Sequence, residues 1–215
     1  MKKVLILGAN GQIARIVEER LLNEQTDVEL TLFLRNENRL RNLADNDRVT
    51  LIEGDVENAN DVNTAVKGQD IVYVAMVDHD SDNNITKNVI NAMKNNGVKR
   101  VISSNILGIY NEVPGEFGRW NQSQVSWGLQ AAINADKLLK DSGLDYTTIR
   151  IPWLNDHNEV KYTVTHEGEE YVGVSGSRQS VADVIVKIVA DPTYLANDSI
   201  GLADPDTQGL DRPVY

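Results

Sequence analysis

Apolar residues in this chain come as short solid runs, separated by stretches in which they recur every three or four positions. Val4 to Leu7 is the first run and stops at Gly8. A run this short and wholly apolar reads as a strand buried on both faces. Ile13, Val17 and Leu21, with Ile16 and Leu22 alongside, then follow helical spacing. Val28 to Leu34 and Val49 to Ile52 read as the second and third strands, the latter running into Glu53-Gly54-Asp55. A helix from about Ala59 to Val66 ends at Gly68, and Ile71 to Met76 is the fourth strand. Ile85, Val89, Ile90 and Met93 mark the next helix, which stops at Gly97. Val101 to Ser104 is the fifth strand, Ala131 to Leu139 a helix closed by Gly143, and Tyr146 to Ile151 the sixth strand. Residues 105–128 between them read as irregular, with Pro114, Gly115, Gly118 and two tryptophans. Further on, Val160 to Thr165 and Glu170 to Val174 suggest a hairpin or small lobe. Val181, Val184, Ile185, Ile188 and Val189 form a helical stripe, with Ser180 and Asp183 as its capping box, before a last strand, Ile200 to Ala203.

Strands alternating with helices imply an α/β chain, a Rossmann-type doubly wound parallel sheet with helices on both faces. The 215 residues suit one domain, 1–215, with a small substrate-side lobe built from loop 105–128 and segment 152–176. Long loops of this kind are often functional.

Composition narrows the partners. A net charge of −11 argues against nucleic acid, which needs basic surface to displace counterions, and against an anionic membrane. There is no cysteine, so disulfides, thiolate nucleophiles and cysteine-bound metals are excluded. Only four apolar residues follow Met1-Lys2-Lys3 before Gly8, too few for a secretory signal, and a cytoplasmic protein is expected. A small-molecule substrate and a monomer or weak homodimer fit this picture.

The chemistry begins at Gly8-Ala9-Asn10-Gly11-Gln12-Ile13-Ala14, between the first strand and the first helix. Gly8 permits a tight turn, Gly11 lets backbone approach a pyrophosphate, and Ala14 is the small residue where helix and sheet pack closely. The helix N-terminus offers free N–H groups to phosphates. Glycines in this context predict a dinucleotide cradle formed by Gly8, Asn10, Gly11, Gln12 and Ile13. At the end of the second strand, a site for NAD carries an acidic residue to hold the ribose hydroxyls. This chain has Leu34-Arg35-Asn36, with Arg39 and Arg41 close behind. Arg35 and Arg39 suit a ribose 2′-phosphate, so NADP, with NADPH preferred over NADH, is the expected cofactor.

Together with Gly54-Asp55-Val56, Ser103-Ser104, Ser142-Gly143-Leu144-Asp145-Tyr146-Thr147 and Ser177-Arg178-Gln179-Ser180-Val181-Ala182, these motifs resemble the atypical short-chain dehydrogenase/reductase superfamily, in its NmrA-like NAD(P)H-binding branch. The resemblance covers nearly the whole chain. It implies about seven parallel strands, Asp55 and Val56 beside the adenine, and Ala75, Met76 and Val77 passing under the cofactor. It also implies that Ser103 and the segment holding Pro152 and Trp153 face the nicotinamide. Two departures stand out. Many active members of the superfamily carry Tyr-x-x-x-Lys, in which the lysine tunes the tyrosine as general acid. Here Gly128 and Ala132 stand where that pair is expected, and no tyrosine has a lysine four residues later. The Arg-Pro that often follows the sixth strand reads Arg150-Ile151-Pro152.

Other constellations give weaker signals. Asp78-His79-Asp80-Ser81-Asp82 starts like a calcium loop, but Asn83 and Val89 occupy its glycine and glutamate positions, so a polar loop capping the next helix is expected. His79, His157 and His166 lack metal-ligand spacing, and no metal site is expected. The candidate catalytic residues are Ser103, Ser104 and Tyr110; Tyr110, Trp120, Trp127 and His157 are candidates for touching substrate. Neither a Gly-x-Ser-x-Gly elbow nor a Walker pattern is present. Two functions remain open. One is an NADPH-dependent reductase of a small carbonyl, quinone or flavin-like compound. The other is a non-catalytic redox sensor that binds NADP(H) and a protein partner. An epimerase or isomerase is a third, lesser alternative.

Overall fold

The computed structural model describes all 215 residues. Strands β1 (Lys2–Leu7), β2 (Val28–Leu34), β3 (Val49–Glu53), β4 (Ile71–Val74), β5 (Arg100–Ile106) and β6 (Asp145–Ile151) alternate with helices α1 (Gln12–Glu24), α2 (Ala59–Val66), α3 (Asn84–Asn96) and α4 (Gly115–Lys140). Then come β7 (Trp153–Asn155), β8 (Thr163–Thr165), β9 (Ser175–Ser177), α5 (Arg178–Ala190) and β10 (Asp198–Ala203). The main sheet has eight strands in the order β3-β2-β1-β4-β5-β6-β10-β8. All its pairings are parallel except β10 with β8. The fold is the Rossmann type, with the strand order reversing between β1 and β4.

Alternation along β1 shows why its run is solidly apolar. Val4 and Ile6 face the core under α1 and α5, whereas Leu5 and Leu7 face the core under α2, α3 and α4. Each strand residue of a covered parallel sheet meets a helix layer on one side or the other. α1 contributes Ala14, Val17 and Leu21 to the first core, and α5 adds Val181, Val184, Ile185 and Ile188.

Three expectations are corrected. Residues 105–128 are not an irregular loop, because α4 begins at Gly115 and continues for 26 residues. Its buried positions Phe117, Asn121, Gly128, Ala132 and Ala135 keep helical spacing. The glycines that disguised it are required by packing: a Cβ on Gly118 would lie 2.0 Å from the Val113 carbonyl oxygen, and one on Gly128 would lie 2.6 Å from His79 Nδ1. Second, residues 160–174 form no hairpin. β8 instead extends the main sheet as its antiparallel edge, and β7 pairs with β9 in a separate two-stranded ribbon. Third, the cap of α5 is Ser177, whose side chain accepts from Ser180 N, while Asp183 inside the helix pairs with Arg20 and Lys187.

The loop after β4 closes onto α3. Asp78 Oδ2 accepts from Thr86 N at 2.9 Å and from Thr86 Oγ1 at 2.7 Å, and Asp80 accepts from the backbone of Asp82 and Asn84. The acidic residues here are spent on tying loop to helix.

Candidate functional site

At the C-terminal edge of the sheet, β1 turns into α1 through Gly8, whose φ is +81°. A side chain there would be strained, and its Cβ would strike the Met76 methyl at 2.3 Å. Gly8 N and Ala9 N both donate to the Phe33 carbonyl, which pins the turn to β2. Gly11 then stands at the mouth of α1, where a Cβ would come within 3.3 Å of the Gly8 carbonyl oxygen. No side chain caps α1. Its first N–H groups therefore lack acceptors from the chain and face outward, a fitting place for phosphate oxygens.

A cavity of about 650 Å³ opens beside this turn. It brings together Gly8, Asn10, Gly11, Arg35, Arg39, Asp55, Val56 and Met76 from the expected set. Phe33, Gly54 and Ile85 also line it. The first two sit where β2 and β3 lie side by side; a Cβ on Gly54 would lie 2.6 Å from the Phe33 ring. Ile85 reaches the cavity from the first turn of α3, a placement that its helical spacing alone does not show. Arg35 and Arg39 are exposed and make no ion pair with any carboxylate. Gln12 and Ile13 lie outside the cavity lining, while the Ala75 carbonyl stands beneath Gly8 and Gly11.

A second cavity, about 480 Å³, lies across the β4 end. Met76 lines the first cavity and its neighbour Val77 the second. The second is walled mainly by apolar side chains, among them Ile106, Leu107, Val125, Pro152 and Trp153. Its two asparagines are already committed. Asn105 donates to the Ala132 carbonyl and accepts from Ile106 N, and Asn121 donates to the Leu107 carbonyl and accepts from Trp153 Nε1. Arg178 and Tyr215 complete the polar part of the lining. Arg178, Asn121 and Val125 were not legible as wall residues, because α4 and the β9–α5 turn bring them in from distant sequence.

Several candidates lie elsewhere. The Tyr110 hydroxyl donates to Asp136, lines neither cavity, and sits with its ring against Arg150. Burial, reinforced by the Asp136 carboxylate, pushes its phenol well above the usual range. The role of proton donor to substrate is therefore withdrawn for Tyr110. Ser104 is buried and hydrogen-bonded to Tyr73 at 3.2 Å, inside the core. Ser103 is half-buried on β5 and lines neither cavity. Trp120 packs between Phe117 and Trp153 behind the cavity wall. Trp127 is 74% exposed and packs at a tilt against His79, and His157 is an exposed residue beyond β7. None of these three lines the second cavity.

A reversed-order parallel sheet, an uncapped glycine turn and a cavity across the switch point define the class of Rossmann NAD(P)H-binding proteins with an oxidoreductase-like fold. The chain belongs to the NAD(P)H-binding family, whose pattern it matches over residues 8–192. It is similar to a short-chain dehydrogenase/reductase from Veillonella parvula DSM 2008 solved in complex with NADP, at 30% identity and TM-score 0.91, covering 100% of this chain and 99% of that one. A Rossmann-fold NAD(P)-binding family protein from Shigella flexneri is 36% identical, with TM-score 0.78 and the same coverage. ChuY, an anaerobillin reductase from Escherichia coli O157:H7, shares the fold at 22% identity and TM-score 0.79, over 97% of this chain and all of that one. No helix here is long and apolar enough to cross a membrane.

Proposed function

We propose that this protein is an NADPH-preferring reductase of a small carbonyl, quinone or flavin-like compound. The observation that carries the reading is the pair Arg35 and Arg39, free of any carboxylate partner, on the wall of the first cavity. They fit a ribose 2′-phosphate, and the uncapped start of α1 fits the pyrophosphate. When bound, the cofactor supplies the hydride. The chain's own part is to orient the reactants and exclude water. Gly8 and Gly11 admit the phosphates, Met76 and Val77 divide the cofactor side from the substrate side, and the apolar wall of the second cavity shields the reacting carbon. No tyrosine–lysine pair stands on α4, so substrates that take their proton from water are favoured.

Paired fluorescence titrations with NADPH and NADH test the cofactor assignment. Wild type is expected to bind NADPH more tightly, and Arg35→Ala to weaken NADPH by about 10- to 100-fold with little effect on NADH. Equal weakening of both, or a wild-type preference for NADH, sinks the assignment. Oxidation of NADPH in the presence of quinones, flavins and aldehydes tests the reductase itself.

One observation favours a second reading, a redox sensor with a protein partner. Gly128 and Ala132 replace the pair of residues expected to relay a proton, and the His79 ring fills the space above Gly128. A chain that binds NADPH but turns over no compound of the panel supports the sensor.

A further inference from the structure

The second cavity carries a single cationic side chain in a mainly apolar wall. Arg178 opens α5 and lines the cavity together with Ile106, Leu107, Pro152 and Trp153. Its side chain is only 20% exposed. Its one partner is Asp156, which receives Nη1 at 2.7 Å and is itself 84% exposed. An ion pair with so exposed a carboxylate is weak, since water competes for both groups. Nε and Nη2 of Arg178 have no partner in the chain. Of the other polar groups in the wall, Asn105 and Asn121 each engage the amide oxygen and one N–H within the protein, and Tyr215 adds a phenol. A ligand in this cavity thus meets apolar surface on most sides and one guanidinium with donors to spare.

We propose that the substrate site selects an apolar compound bearing a carboxylate, and that Arg178 is the specificity-determining residue that holds the carboxylate, with Asp156 as the displaceable partner in the free protein. The inference rests on the reading that the second cavity receives the substrate. A guanidinium presents parallel N–H groups that match a carboxylate, and its hydrogen bonds strengthen where water is excluded. In a chain of net charge −11, one poised cation also separates acids that fit the cavity from acids repelled elsewhere on the surface.

The test pairs matched probes that differ only in charge. Calorimetric titration of the NADP⁺-saturated protein with 2-naphthoate and with 2-naphthamide is expected to show the acid bound about tenfold more tightly or better, by the usual strength of a hydrogen bond to a charged group. Arg178→Leu should bring the ratio of the two affinities close to one, and Arg178→Lys should keep part of it. Asp156→Asn should strengthen the naphthoate complex. A cofactor titration of each variant checks that the fold is intact. Equal binding of both probes by wild type, a preference that survives in Arg178→Leu, or binding of neither probe overturns the proposal. Turnover of 4-formylbenzoate against 4-formylbenzamide separates it from the reductase reading. A naphthoate preference that depends on Arg178 without turnover of either aldehyde keeps the anion site and sinks the reductase. Equal turnover of both aldehydes does the reverse.

Discussion

At the scale of single residues, the cradle depends on what is missing from side chains. A Cβ on Gly11 already presses on the Gly8 carbonyl at 3.3 Å, and a branched side chain would project over the start of α1, where phosphate must approach. Gly11→Val is expected to abolish NADPH binding while leaving the far-ultraviolet circular dichroism and melting curve near those of wild type. Retained affinity would show that the dinucleotide does not use this turn. Glu18 makes the opposite point, a side chain that the core holds at a cost. It is 1% exposed, and neither carboxylate oxygen has a hydrogen-bond partner. Burial pushes its carboxyl up to about 8 from the ordinary 4.5, against a smaller downward pull from Arg15. Between those values the folded protein keeps a proton that the unfolded chain has released. Stability therefore falls as pH rises from about 4.5 to about 8 and is level above. Glu18→Gln removes this loss and should gain up to about 5 kcal/mol over wild type on going from acid to mildly alkaline pH, by about 1.4 kcal/mol per pKa unit. Urea unfolding across that range checks it; a constant gap between the two proteins means that Glu18 is already ionised in the fold.

Among the elements, α4 is the one whose sequence misleads. Gly115, Gly118 and Gly128 lower its intrinsic helix propensity, and the polar run Asn121 to Gln124 hides its apolar stripe. Contacts decide it: Phe117, Ala131, Ala132 and Ala135 are buried, and Asn121 and Ala132 are held by side-chain bonds across to the β5 end. Gly128 is occupied from above by His79, which also packs at a tilt against Trp127, 4.4 Å between ring centroids. Gly→Ala inside a helix is ordinarily worth about 1 kcal/mol of stability. Gly128→Ala should show no such gain while His79 is present, and should recover it in a His79→Ala background. Denaturant unfolding of the four proteins in that cycle reads the coupling; the same gain in both backgrounds would mean that the imidazole moves aside freely.

Over the whole molecule, one buried ion pair ties distant parts together. Arg150 of β6 is wholly buried and bonds Glu112 at 2.8 Å, while its Nη2 donates to the carbonyls of Thr165 on β8 and Ser199 on β10. Glu112 also accepts from Gly108 N and Tyr110 N, so the segment leading into α4 is fastened to the far edge of the sheet. Glu112→Gln leaves a guanidinium in the interior without its counter-charge and is expected to cost about 3–5 kcal/mol. Replacing both partners with apolar residues, as in Arg150→Met with Glu112→Leu, should cost less than the single change. Urea midpoints compare the two; a single variant as stable as wild type would show that the carboxylate contributes no more than a neutral acceptor.

Sequence alone determined the alternating layers, because a parallel strand covered on both faces must be apolar at every position and a covering helix must be apolar every third or fourth. β1 to β6, α1 to α3 and α5 follow from that rule, and the glycine turn at Gly8 and Gly11 follows from the need for backbone to approach phosphate. The free arginines at the end of β2 were legible for the same local reason. Tertiary structure decided what depends on residues far apart in the chain. It placed the Tyr110 hydroxyl on Asp136, the Phe33 ring against Gly54, β8 at the antiparallel edge beside β10, and Arg178 in a wall shared with α4. Hydrophobic spacing reports which face of an element is covered. It carries no term for which distant side chain does the covering, and the second cavity is made entirely of such contacts.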